Sequence, residues 1–217
     1  MTQYALDISL PVAYAPTQFM RSQSNQLAYD WVMCWPDWPD FALYVQGESG
    51  AGKTHLAHCW QSKTQAEFLA MDSEALPGCA TIVDGIENWK NEVALFHLYN
   101  HCKSEKIPLL VTSAKLPEQL PFTLPDLRSR LKSLPLAQIN APDDALLSAV
   151  LMKYFSDRQL KISPDVVEYM LPRLPRSFAE LAHLVEKLDS DSLVSGRTLT
   201  IPYVRQVMLS SPPCAGI

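Results

Sequence analysis

Apolar residues along this chain fall into two kinds of run, and the two kinds alternate. Residues 41–46 (Phe-Ala-Leu-Tyr-Val-Gln), 79–84 (Cys-Ala-Thr-Ile-Val-Asp) and 107–112 are short, nearly unbroken apolar and β-prone stretches. They predict buried strands, with weaker ones at 67–71 and 134–139. Between them the spacing changes to that of a helix. Residues 24–35 place Leu27, Trp31 and Cys34 along one side, with Ser24 or Asn25 as N-cap. Residues 54–61 read as a helix, and residues 91–106 carry Val93, Leu95, Phe96, Leu98, Tyr99 and Cys102 as one broad apolar face. Strands alternating with helices predict an α/β fold, a parallel sheet sandwiched by helices. From Pro142 onward only helical patterns occur: 143–160, 165–171 (opened by Ser163-Pro164), 177–188 and 201–209. The expected organisation is an extended N-terminal arm (1–18), an α/β nucleotide-binding domain (19–141) and a small all-α lid domain (142–217).

The chemistry concentrates where the first strand ends. Residues 47–54 read Gly47-Glu48-Ser49-Gly50-Ala51-Gly52-Lys53-Thr54, the G-x-x-x-x-G-K-[ST] pattern of a phosphate-binding P-loop. The glycines let the backbone turn and aim its N–H groups into a concavity. Lys53 reaches the β- and γ-phosphates, and the Thr54 hydroxyl is a ligand for Mg²⁺. A strand before and a helix after supply the context this motif needs, and the helix N-terminus favours an anion. The competing reading is a surface loop that happens to carry Lys-Thr. Asp84 closes an apolar strand about 30 residues later, where P-loop proteins hold Mg²⁺ with an acid. The next residue is Gly85, and Glu87 follows two positions on.

Other polar residues have two readings each. Thr112 and Ser113 end the 107–112 strand and serve either the γ-phosphate or a turn. Arg128 and Arg130 lie in Leu127-Arg128-Ser129-Arg130-Leu131 and are either charge-stabilising arginines or solvated surface ones. Arg176, in Pro175-Arg176-Ser177-Phe178, starts a lid helix and is placed to fold onto phosphates, although Arg173 lies three residues earlier.

Bulk properties narrow the field. The 217 residues are 47% hydrophobic and 19% charged, enough for a core in one domain with a small appendage. A net charge of −5 gives no bulk attraction to DNA or to an anionic membrane. No basic segment followed by an apolar stretch marks a signal peptide, and no uncharged apolar run approaches the roughly 20 residues of a membrane span. The five cysteines form no C-x-x-C pair and are odd in number, as expected of reduced, mostly buried thiols in a cytoplasmic protein. Seventeen prolines against seven glycines punctuate the predicted elements.

In this order, the motifs resemble those of an AAA+ ATPase, and more narrowly the DnaA family of replication initiators. Gln18-Phe19 and Ser24-Asn25-Gln26-Leu27-Ala28 are similar to that family's adenine-approaching motif. Gly52-Lys53-Thr54-His55-Leu56 continues as its P-loop does, which carries His55 into the nucleotide-binding set. Leu109-Leu110-Val111-Thr112-Ser113 is similar to its first sensor strand, and Leu127 to Leu131 to its arginine-finger segment with Arg130 as the finger. Arg176 matches the second-sensor arginine. The resemblance spans about residues 16–210.

Two departures shift the resemblance toward the Hda family, the regulatory inactivators of DnaA. The chain ends at Ile217, so the initiator's helix-turn-helix domain is expected to be absent, and with it direct sequence-specific DNA binding. The initiator's second Walker B acid is Gly85 here, and the acid after the sensor strand is Ala114. Hda proteins dock an N-terminal peptide, often Gln-Leu-x-Leu-Pro, on the DNA-polymerase sliding clamp. Here Asp7-Ile8-Ser9-Leu10-Pro11 keeps the Ile8, Ser9, Leu10, Pro11 part and lacks the glutamine, Gln3 being misplaced. The alternative is an apolar arm packed on its own domain.

The resemblance implies ADP or ATP with Mg²⁺ as ligands, DnaA and the clamp (the β subunit of DNA polymerase III) as partners, and admits a homo-oligomer. It implies a regulator of replication initiation that promotes hydrolysis of DnaA-bound ATP through Arg130. Weak intrinsic hydrolysis is expected, because Gly85 and Ala114 carry no carboxylate. The competing functions are an autonomous ATPase that loads the replicative helicase and a small-molecule P-loop kinase.

Overall fold

A computed structural model describes residues 14–195 and 198–209. Five parallel strands form one sheet in the order β2-β3-β4-β1-β5. They are β1 (Ala42–Gly47), β2 (Glu67–Phe68), β3 (Thr81–Val83), β4 (Leu109–Ser113) and β5 (Leu136–Ile139). All five expected strands are present; the two-residue β2 is the shortest, a sheet edge paired only to β3. The core helices are α1 (Gln26–Met33), α2 (Lys53–Thr64), α3 (Glu92–Glu105) and α4 (Pro125–Lys132).

Strand β1 shows why the sheet is covered on both faces. Ala42 and Tyr44 enter one core with Leu95, Leu98, Tyr99 and Leu127 of α3 and α4. Leu43 and Val45 enter the other with Ala28, Val32, Leu56 and Trp60 of α1 and α2. Alternate side chains of a strand point to opposite faces, so an unbroken apolar run buries both. Each fully buried Leu, Ile or Phe contributes roughly 1.5–3 kcal/mol. In an open α/β sheet, ligands lie beyond the carboxyl ends of the strands where the order reverses. Here β1 lies between β4 and β5, with Val45 opposite Thr112 and Gly47 opposite Ile139.

Helix α4 is absent from the sequence reading. Its apolar pattern is only Leu127 and Leu131, too little to show a period. Its start is fixed by a distant residue. The Glu92 carboxylate of α3 accepts from the N–H groups of Thr123 at 2.8 and 2.9 Å and of Leu124 at 2.7 Å, just before Pro125 opens the helix. Burial works against the charged form of Glu92, but these donors outweigh it and lower its pKa.

After β5 the chain is helical: α5 (Asp144–Asp157), α6 (Pro164–Met170), α7 (Phe178–Ser195) and α8 (Ile201–Leu209). They close on their own core, including Leu147, Leu151, Phe155, Met170, Leu181 and Val204. Ser163 precedes α6 without a side-chain cap bond, and Asn25 precedes α1 likewise; its side chain instead accepts from the Ser22 N–H and donates to the Met20 carbonyl. Of the cysteines described, Cys59 and Cys102 are buried, Cys79 is half-buried and Cys34 is exposed. No described helix is long and apolar enough to cross a membrane.

Asp143 caps α5 at the junction of core and lid, its carboxylate accepting from the Leu146 N–H at 2.8 Å. That hydrogen bond holds its pKa below the ordinary 3.8. A depressed pKa stabilises the fold above the unfolded value and loses that contribution as pH falls through the folded value. Asp143→Ala is expected to cost about 1 kcal/mol at neutral pH. The variant should also lose less stability than the parent on acidification below the unfolded carboxylate pKa. Urea unfolding at a series of pH values tests both.

Candidate nucleotide-binding site

The P-loop leaves β1 at Gly47, where an added Cβ would lie 3.1 Å from Ile139 of β5. Gly50 and Gly52 adopt φ of +74° and +95°, a conformation that side chains resist. Glu48 and Ser49 are exposed and Ala51 is buried beneath the loop. Lys53, the first residue of α2, turns its ammonium back to donate to the carbonyls of Gly47 at 2.8 Å and Glu48 at 2.9 Å. The loop therefore curls around the lysine. Burial lowers the Lys53 pKa, while the carboxylates of Glu87 and Asp84 act in the opposite direction.

Asp84 sits at the end of β3 and both its oxygens are engaged. Thr54 of α2 donates to one at 2.8 Å and Thr112 of β4 donates to the other at 2.5 Å. Thr112 in turn accepts from the Gly85 N–H at 3.0 Å. Ser113 accepts instead from the Lys115 N–H at 3.0 Å. The two residues thus divide the two sequence readings: Thr112 joins the acidic centre and Ser113 shapes the turn. The Thr54 hydroxyl and Asp84 carboxylate are hard oxygen donors side by side, which fits Mg²⁺ shared with phosphates and waters. No cluster of three or more His, Cys, Asp or Glu among the described residues would hold a metal by itself.

Glu87 lies on a short 3-10 turn, Ile86–Asn88, entered through Gly85 at φ +73°. One of its oxygens accepts from the Ala114 N–H at 3.0 Å. The other is buried and has no hydrogen-bond partner.

Beyond the loop, a cleft of about 360 Å³ opens between core and lid, lined by Gln18, Phe19, His55, Tyr154, Arg158 and Phe178 among others. That volume is within the range of small-molecule sites. His55 lines this cleft together with the P-loop residue Gly52. Its Nε2 lies 3.0 Å from the Ala15 carbonyl, and its ring packs edge-on against Phe19 at 5.2 Å. It pins the segment before α1 to the cleft wall, and burial lowers its pKa.

The lid reaches the P-loop through residues adjacent to Arg176. The Phe178 N–H donates to the Gly50 carbonyl at 2.9 Å. A Cβ on Gly50 would lie 2.2 Å from the Ser177 Oγ. Arg176 itself pairs with Asp144 at 2.6 Å and donates to the Pro142 carbonyl at 3.1 Å, leaving its side chain about half exposed. Arg173 stacks on Tyr169 with 4.1 Å to the ring centre and so belongs to the lid surface. Sequence reasoning missed Ser177 and Phe178; their only signal was that they follow Arg176 at a helix start.

Arg130 is on α4, stacked over Phe96 at 4.6 Å and near Tyr99 at 5.6 Å. Arg128, on the same helix, is exposed. The segment Ile8-Ser9-Leu10-Pro11 lies outside the described residues.

Against known proteins, residues 144–208 match the family model of the Hda lid domain. An uncharacterized protein of Haemophilus influenzae is 30% identical over 76% of this chain and 80% of its own length. The chain is an Hda-like, DnaA-related AAA+ protein. Domain III of the DnaA replication initiation protein of Thermotoga maritima superposes with a TM-score of 0.77 at 15% identity, covering 91% of this chain and 96% of that one. AMPPCP-bound DnaA of Aquifex aeolicus gives 0.66 at 16% identity over 80% of this chain and 64% of that one. These likenesses define the fold as AAA+.

Lys53→Ala removes the cation around which the loop curls. Loss of ADP binding is the expected result, with thermal stability of the ligand-free protein little changed. Isothermal titration of ADP checks the first and differential scanning calorimetry the second; undiminished ADP affinity would refute the P-loop assignment.

Proposed function

We propose that this protein binds ADP or ATP with Mg²⁺ at the P-loop and regulates initiation by acting on DnaA. With ADP held between the nucleotide-binding domain (19–141) and the lid (142–217), it presents Arg130 to ATP-loaded DnaA. That encounter takes place on the DNA-loaded sliding clamp and prevents re-initiation. Hydrolysis then occurs in the partner. The observation that carries this reading is the position of Arg130. It stacks on α3 through Phe96 and Tyr99, and no described contact joins it to its own P-loop. A guanidinium there is held by aromatic faces, an attraction of about 0.5–2 kcal/mol that is easily exchanged for a phosphate. The AMPPCP bound in the Aquifex aeolicus relative supports nucleotide at the corresponding site here.

Arm residues Ile8, Ser9, Leu10 and Pro11 would dock on the clamp as an extended peptide, with Ile8 and Leu10 as anchors. Leu10→Ala should weaken clamp binding while leaving ADP affinity unaltered. Surface plasmon resonance on immobilised clamp decides between this and an arm packed on its own domain, for which clamp affinity would not change.

An arginine finger in trans is worth about 10³–10⁵ in rate. Arg130→Ala should therefore abolish stimulation of DnaA ATP hydrolysis while its own ADP affinity, fold and clamp binding persist. Arg176→Ala should instead weaken ADP binding, because Arg176 anchors the Ser177-Phe178 contact through Asp144. A reconstituted assay with DnaA and DNA-loaded clamp reads both. Normal stimulation by Arg130→Ala would end the trans mechanism. Steady turnover and helicase binding without DnaA would favour a helicase loader.

A further inference from the structure

Rings, not acids, hold the charge of Arg130. Its guanidinium lies over Phe96, 4.6 Å from the ring centre, and near Tyr99 at 5.6 Å. Among the described residues it enters no salt bridge and no side-chain hydrogen bond. The kind of hold matters. A carboxylate would occupy the edge of the guanidinium and neutralise it. A ring takes one flat face, leaving the charge intact and the five N–H donors around the edge unoccupied.

The surroundings of that stack are fixed. The Ser133 hydroxyl donates to the Arg130 carbonyl at 2.7 Å, and Leu127 and Leu131 bury the inner face of α4. Tyr99 is buried and packs edge-on against Phe41 at 5.2 Å, so the core sets its ring. Phe96 differs. Helix α3 buries Leu95, Leu98, Tyr99 and Cys102, whereas Phe96 sits at the rim of that face and is only partly buried. A leucine or methionine would serve the packing at that rim; an aromatic face there serves the guanidinium. Arg128 lies two residues before Arg130, about 200° away around the helix. It is exposed and has no aromatic partner among the described contacts. The rings therefore select one of two arginines that the sequence leaves equivalent.

We propose that Phe96 is the positioning residue for the action of Arg130 in trans. This rests on Arg130 acting on DnaA-bound ATP, as proposed above. An arginine free to swing on a solvent-facing helix would meet a partner's phosphates in many rotamers, few of them productive. Stacked on Phe96, it is confined to one plane with its donor edge open, so its alignment is set before the partner arrives. Phe96 itself takes no part in bond making or breaking.

Phe96→Leu and Phe96→Met keep apolar bulk and remove the ring; Phe96→Tyr and Phe96→Trp keep a ring. Each variant is titrated into ATP-loaded DnaA with DNA-loaded clamp, and the maximal rate of ATP hydrolysis is read separately from the half-maximal concentration. The ringless variants should lower the maximal rate about 2–30-fold, the worth of a cation–π contact, at an unchanged half-maximal concentration. The ring-bearing variants should retain the parent's rate. ADP affinity by isothermal titration should match the parent throughout. In NMR spectra of arginine-labelled protein, the Arg130 Nε–H proton is assigned by its loss in Arg130→Ala. Ring current should shift it upfield in the parent and the ring-bearing variants, and the shift should vanish in the ringless ones. Parent-like maximal rates in both ringless variants, with Arg130→Ala inactive, overturn the inference and leave the trans mechanism standing. So does a raised half-maximal concentration at an unchanged maximal rate, which would make Phe96 a contact for the partner, and so does a loss that neither ring restores. Stimulation by Arg130→Ala at the parent's level overturns the trans mechanism and the inference with it.

Discussion

Strand β1 is buried on both faces and hydrogen-bonded along both edges, to β4 and to β5. It separates two cores that meet through its alternating side chains. Its carboxyl end is fixed in space by both neighbours, so the loop that follows begins from a rigid point. Gly47 is required there because Ile139 of β5 leaves no room for a side chain. A phosphate cradle needs its N–H groups held within narrow limits, and a doubly buried strand supplies that rigidity.

From that point the acidic centre ties the elements together. Asp84 accepts hydroxyls from α2 and from β4, joining the helix after the P-loop to the ends of β3 and β4. Glu87 ties the turn after β3 to the end of β4. The whole lies at the carboxyl ends of adjacent strands, so displacement of one element moves the polar groups on the others. Lid and core are coupled there too. The Gly50 carbonyl accepts from Phe178, and Arg176 holds Asp144 on the first turn of α5. A lid hydrogen-bonded to the loop backbone cannot shift without disturbing that loop.

Arg130 and the P-loop use different physics. The P-loop site is built from backbone, hydroxyls and carboxylates, and suits an anion with a cation. Arg130 rests on aromatic faces, away from the carboxylates around Lys53, and keeps its guanidinium available for a bidentate partner. Helix α4, which carries it, starts where Glu92 of α3 accepts its leading N–H groups. The position of Arg130 thus depends on α3 twice, through a cap and through a stack.

The local sequence determined the α/β alternation, the helical lid and the P-loop, because each is written in contiguous residues: apolar period, Gly spacing, a strand-end Asp. It also singled out Lys53, Thr54 and Asp84 as candidates from motif and strand context, and the fold sets Thr54 against Asp84. It did not show α4, because two leucines are too few for a period and the cap comes from a residue more than thirty positions away. It could not separate Thr112 from Ser113, since adjacent strand residues point to opposite faces and only the sheet decides which meets Asp84. Nor could it place Glu87, Ser177 and Phe178. Their surroundings come from segments distant in the chain: the end of β4 for Glu87 and the P-loop for the lid residues. Periodicity and motif are properties of the chain, whereas a polar atom's partners are properties of its packing, and only the tertiary structure decides them.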